Sequence, residues 1–135
     1  MPAAQVLDSY ALLKLLRDEP GAETVAEILE KAGQRDQPVS MSEVNYAEVQ
    51  YIVRRKEGDA AWKTIAGELV SAPIQFHPAD RPLADSAADF KARFKISLAG
   101  AFAAALAKEK KAELVTGDLE FKALEKEIRI NWLAK

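Results

Sequence analysis

Three carboxylates and one glycine carry most of the chemical content of this sequence. Asp8 closes the short apolar run AQVLD, Asp118 follows the run AELVT by way of Gly117, and Glu48 stands three residues after Asn45 in SEVNYAEVQ. Hard divalent cations such as Mg²⁺ and Mn²⁺ take oxygen donors of this type and retain waters, and a cation-bound water can attack a phosphodiester. Carboxylates about 5 Å apart would repel by roughly 3 kcal/mol per pair at an effective dielectric near 20, a repulsion that a cation relieves. Each acid also has a plainer reading. Asp8 and Asp118 can be helix N-caps, and Glu48 can be the acid of a capping box opened by Asn45. Few other groups compete for a catalytic role. The chain has no cysteine, hence no thiolate nucleophile or disulfide, and its one histidine, His77 in FHP, reads as a strand-end or surface residue.

Whether the acids meet depends on the elements that carry them. AQVLD is a strand feeding the helix SYALLKLL, which stops at Pro20 and Gly21. GAETVAEILEKAG is a second amphipathic helix with Val25, Ile28 and Leu29 on one face, and QPVSMS is a buried strand. EVNYAEVQYIVRRKEG is a helix expected to turn Val44, Ala47, Tyr51 and Ile52 inward. DAAWKTIAGELVSA is a helix expected to start from an Asp59 cap. PIQFHP is a strand bounded by prolines. LADSAADFKARF and ISLAGAFAAALA are helices divided near Lys95 to Ser97. AELVTGD is a strand ending in a turn, LEFKALEKE a short helix and IRINWL a terminal strand. Strands alternating with helices imply an α/β fold with a parallel sheet covered on both faces. Function in such sheets collects at the carboxyl ends of the strands. Asp8 and Asp118 therefore reach one edge, and Glu48 enters from the helix after the second strand.

At 135 residues, 49% hydrophobic and 30% charged, the chain is expected to form one domain spanning 1–135. Its net charge of −2 gives no broad basic footprint for nucleic acid, so any phosphate contact must be local. Lys91, Arg93 and Lys95 lead into the helix at the acid edge and are better placed as a phosphate clamp than Arg54, Arg55 and Lys56. The first residues have no basic segment before their apolar run, and Asp8 interrupts that run. They are expected to be neither a signal peptide nor a span, and the protein is expected to be soluble and cytoplasmic, with no membrane partner. The leucines of the first helix, Leu12, Leu13, Leu15 and Leu16, either pack into the core or offer a face to a partner helix.

VLDSYALLKLLRDEPGAE, SMSEVNYAEVQYIVRRKEG, KISLAGAFAAALAKEKKAELVTGD and DLEF closely resemble the PIN-domain ribonucleases. The resemblance is specifically to the VapC-type toxins of bacterial and archaeal toxin–antitoxin pairs, and it covers nearly the whole chain. It implies a three-layer α/β/α sandwich whose five-stranded parallel sheet has the order 3-2-1-4-5. It also implies an acidic Mg²⁺ or Mn²⁺ site, hydrolysis of RNA, a homodimer and neutralisation by a cognate antitoxin. By position, the family acids fall on Asp8, on Glu48 rather than Glu43, and on Asp118. Ser9 stands where the family favours a small hydroxyl, and Thr116 would support the site or hold a water.

One position departs from the pattern. The family typically writes I-S-x-A-D-A where this chain writes ISLAGA, so Gly100 occupies the place of an expected aspartate. With Ser97 as N-cap, position 100 is the third helical residue, where a carboxylate would reach back to the cap and favour the positive end of the helix dipole. Glycine does neither and gives up roughly 1 kcal/mol of helix propensity. It can signal a weakened metal site, a catalytically silent protein, natural or engineered, that still dimerises and binds antitoxin or RNA, a close backbone approach, or neutral drift in a chain whose other helices carry the fold. Replacing Gly100 by Asp is expected to separate the first two.

Overall fold

A computed structural model describes residues 4–134. In chain order it contains β1 (Gln5–Leu7), α1 (Ser9–Leu16), α2 (Ala22–Gln34), β2 (Val39–Ser42), α3 (Glu43–Glu57) and α4 (Asp59–Val70). There follow β3 (Ile74–His77), α5 (Arg81–Arg93), α6 (Leu98–Lys110), β4 (Glu113–Thr116), a 3₁₀ helix (Leu119–Leu124) and β5 (Ile130–Trp132). All five strands pair in parallel in the order 3-2-1-4-5. Val6 lies beside Ser40 on one side and Leu114 on the other. Among the described residues no helix is long and apolar enough to cross a membrane.

The period of two along each strand sends alternate residues to opposite faces, and two cores result. Val6 and Leu114 join Leu83, Phe90, Phe121 and α6 on one face, while Leu7 and Val115 join Leu12, Val25, Val49, Val53 and Trp62 on the other. Helices α5 and α6 therefore cover one side, and α1 to α4 the other. α6 is buried without interruption from Ala99 to Ala107. A helix enclosed on all sides has no polar face to spare, and its alanines keep it slim enough for close neighbours on every side.

Local readings of the elements changed in several places. α3 buries Asn45, Val49 and Val53 rather than the face through Ala47 and Tyr51, which are exposed; the polar Asn45 interrupts the apolar stripe and hid its register. α4 is entered through Gly58, not capped by Asp59, whose carboxylate accepts from Arg54 Nε at 2.8 Å. α5 begins earlier than its leucine, at Arg81, because Asp80 accepts from the backbone N–H of Leu83 at 3.0 Å. The segment after β4 is a 3₁₀ helix of six residues. In α1, Leu12 is fully buried, and Leu13, Leu15 and Leu16 pack half-buried against the same core.

Candidate functional site

In a sheet ordered 3-2-1-4-5 the chain leaves β1 toward β2 and later crosses to β4, so a crevice opens at the carboxyl ends of β1 and β4. Asp8 and Asp118 stand there. Asp8 is the N-cap of α1, one oxygen accepting from the backbone N–H of Ala11 at 2.8 Å. Its other oxygen accepts from Thr116 Oγ1 at 2.5 Å, and the same hydroxyl oxygen accepts from the backbone N–H of Asp118 at 3.0 Å. Asp118 caps the 3₁₀ helix by accepting from the backbone N–H of Glu120 at 3.0 Å. The capping readings of these two acids hold. They do not exhaust a carboxylate, whose two oxygens offer about four acceptor positions. The Thr116 hydroxyl ties the end of β1 to the turn after β4 by donating to Asp8 and accepting from the Asp118 backbone.

Asn45 is not a cap. The N-cap of α3 is Ser42, whose hydroxyl accepts from the backbone N–H of Asn45 at 3.1 Å and donates to Asn45 Oδ1 at 2.6 Å. Asn45 Nδ2 donates to Ser9 Oγ and to the backbone carbonyl of Ala99, both at 3.1 Å. Ser9 Oγ in turn donates to the carbonyl of Asn45 at 3.2 Å. One buried amide thus joins the first turns of α1, α3 and α6, and places Glu48 one turn along α3 at the same crevice. Glu43 is exposed and lies outside it.

The crevice is a cavity of about 210 Å³ whose walls include Asp8, Glu48, Asp118 and Glu120, together with Ser9 and Gly100. The three sequence-predicted acids reach one cavity. Among the described residues, no three carboxylate or histidine side chains are gathered closely enough to hold a metal ion as they stand. Two of the acids face backbone N–H groups at the start of their own helices instead. Burial pushes the Asp8 carboxyl up to about 7; the bonds from Thr116 and Ala11 oppose this, and the neighbouring charges of Asp118 and Glu120 add to it. Glu120 is also raised, first by burial and then by Asp118, against the bonds from Ser97. His77 ends β3, with Nε2 2.9 Å from Ser40 Oγ, and is not part of the cavity.

At the start of α6, Ser97 is the cap, accepting from the backbone N–H of Gly100 at 2.9 Å. The acid of that capping box comes from elsewhere. Glu120 Oε1 accepts from the backbone N–H of Ser97 at 2.7 Å, and Oε2 accepts from Ser97 Oγ at 3.1 Å. A Cβ on residue 100 would lie 2.5 Å from Glu120 Oε2 and 2.9 Å from Ser97 Oγ. Gly100 therefore permits a close approach. Sequence reasoning missed Glu120, although it lies in DLEF two residues after Asp118, a spacing that puts both acids at the start of the same short helix.

Gly117 is pinned in the same way: a Cβ there would lie 2.5 Å from Cε1 of the Tyr10 ring. A ring cannot yield as a flexible chain end can. Gly117→Ala is expected to lower stability by about 1–3 kcal/mol, read as a lower midpoint in urea; an unchanged midpoint would show that Tyr10 moves freely. Of the basic residues, Lys91 donates to the carbonyl of Ile96 at 2.8 Å and Arg93 is clamped by Asp89 and Glu127. The fold uses both within its own surface. Lys95 is exposed beside the start of α6.

The donor set is all oxygen, anionic and partly desolvated, which suits a hard divalent cation holding some of its own waters. The family described as the PIN domain matches residues 6–127. No curated protein matches the sequence. The fold is similar to VapBC2 from Rickettsia felis bound to a DNA fragment from their promoter, with TM-score 0.78 and 15% identity, covering 97% of this chain and 99% of that one. It is similar to FitAcB from Neisseria gonorrhoeae, with TM-score 0.69 and 22% identity over 93% and 95% of the two chains. It is also similar to VapC20 of Mycobacterium tuberculosis, a sarcin–ricin loop cleaving toxin, with TM-score 0.71 and 17% identity over 90% and 95%.

Proposed function

Because the chain belongs to the PIN-domain family, we propose that it is a metal-dependent ribonuclease of the VapC toxin type, a single PIN domain that hydrolyses RNA and is neutralised by a cognate antitoxin. The observation that carries the reading is the acidic cavity at the ends of β1 and β4, built from oxygen donors on several elements. Among solved proteins of similar fold, one is described as a toxin–antitoxin complex from Klebsiella pneumoniae and another as a member of the VapBC family of toxin–antitoxin systems from Mycobacterium tuberculosis, which supports an antitoxin as the partner. A homodimer working in the cytoplasm completes the proposal.

Asp8, Glu48 and Asp118 would hold Mg²⁺ or Mn²⁺, directly or through water. The bound ion supplies a water of lowered pKa and offsets charge on the phosphate. The chain's own residues supply position. Thr116 holds the Asp8 carboxylate and the backbone of Asp118 in one relation, and Ser9 keeps α1 fixed to Asn45. Lys95 is the basic residue of its trio still available to a phosphate. The competing reading is a silent protein that binds RNA or antitoxin without cleaving; it draws on the absent carboxylate at Gly100 and on acids not yet gathered.

Calorimetric titration with Mn²⁺ and with Mg²⁺, run beside an RNA cleavage assay, separates the two. Binding and cleavage are expected, with Glu48→Gln and Asp118→Asn each lowering cleavage by about a hundredfold or more, since each removes a carboxylate from the ion. Absence of both at millimolar metal removes the nuclease reading. RNA binding without cleavage establishes the silent one.

A further inference from the structure

We propose that Glu120 is the carboxylate Gly100 lacks: the acid expected on the first turn of α6 is supplied to the same cavity from the 3₁₀ helix after β4, through space that only glycine at 100 leaves open. This rests on the metal-dependent reading above and changes what that reading says about the glycine.

The case begins with what Glu120 does in place of an acid on α6. A carboxylate at the third helical position would bond the N-cap residue. Glu120 bonds that residue with both oxygens, at 2.7 Å to its backbone N–H and 3.1 Å to its hydroxyl, from 23 residues along the chain. The second point is steric. A Cβ at 100 would sit 2.5 Å from Glu120 Oε2, far inside carbon–oxygen contact, so a side chain at 100 and Glu120 in this pose exclude each other. The third is the location. Glu120 lines the same cavity as Asp8, Glu48 and Asp118, so the number of carboxylates around it is four.

Gly100→Asp then does not add an acid. The atom it would strike is the far end of a flexible side chain, so Glu120 swings out and one carboxylate replaces another. The two positions are interchangeable and non-additive, as expected of groups competing for one space.

The test is Mn²⁺ alone, titrated calorimetrically into the wild-type protein, Glu120→Gln, Gly100→Asp and the double variant, with melting curves in chelator alongside. Glutamine keeps an oxygen to accept from Ser97, so Glu120→Gln is expected to melt near wild type without metal yet bind Mn²⁺ about tenfold more weakly or worse. Gly100→Asp should bind within about threefold of wild type, and the double variant should recover to the same range. Wild-type affinity in Glu120→Gln would reduce Glu120 to a helix cap and overturn the inference, as would a tenfold gain in Gly100→Asp. A wild-type protein that binds Mn²⁺ and cleaves RNA while Glu120→Gln is unaffected fails this inference alone. A wild-type protein that does neither fails the nuclease reading together with it.

Discussion

Asp8→Asn is expected to raise the melting temperature of the metal-free protein by about 10 °C at pH 8 while abolishing RNA cleavage. The buried Asp8 carboxyl is pushed up to about 7 from an ordinary value of 3.8. Between those values the folded protein holds one proton more than the unfolded chain, so stability falls as pH rises through the window and the full penalty is present above it. About three pH units correspond to roughly 4 kcal/mol at pH 8 and less than about 2 kcal/mol at pH 5. Asparagine carries no charge in either state, and its amide can accept from the Ala11 N–H and donate to Thr116 as a protonated carboxyl would. The gain should therefore shrink by more than half at pH 5, and adding Mg²⁺ should raise the wild-type midpoint at pH 8 but not that of the variant. Differential scanning calorimetry at the two pH values checks this. A variant that melts lower than wild type at pH 8 would mean that Asp8 is at ease as an anion without metal. Sites that gather charge for chemistry commonly carry such a stability cost.

Asn45→Ala should be the most destabilising change outside the apolar cores, by about 3 kcal/mol. Its side chain, itself buried, serves Ser9, Ser42 and the carbonyl of Ala99 at the floor of the cavity. Alanine would leave buried donors and acceptors unpaired, each costing about 1–3 kcal/mol before relaxation. Urea denaturation measures the loss. Because the amide sets the spacing of the first turns of α1, α3 and α6, Mn²⁺ affinity should also fall in protein that remains folded at low temperature. A drop in stability with unchanged metal affinity would restrict Asn45 to the core.

The order of elements and the parallel character of the sheet were legible because each signal was local: apolar runs of strand length, helical leucine spacing, and Pro, Gly or Asp at the breaks; the strand order 3-2-1-4-5 came from the family resemblance alone. Asp8, Glu48 and Asp118 could be placed at one edge because topology, not side-chain detail, brings strand ends together. Three features were not legible, and for one reason. The role of Asn45, the crowding of Gly117 by Tyr10 and the partnership of Gly100 with Glu120 are contacts between residues distant in sequence, and the first and last also break a local rule whose compensation lies elsewhere. A polar residue spoiled the periodicity of α3, and a glycine stood within a helix. Local propensity registers such departures as defects; only packing shows what fills them.

The Thr116 bridge between Asp8 and Asp118 also has a bearing on how the protein is made. Asp8 and Glu48 are made well before Thr116, Asp118 and Glu120, and β4 must insert beside β1 before any bond between the two groups can form. A nascent chain halted before β4 holds two of the four cavity carboxylates and lacks the strand that would bring the others to them. Whatever chemistry the cavity performs is thus withheld from the ribosome-bound chain until β4 has been made and the centre of the sheet has closed.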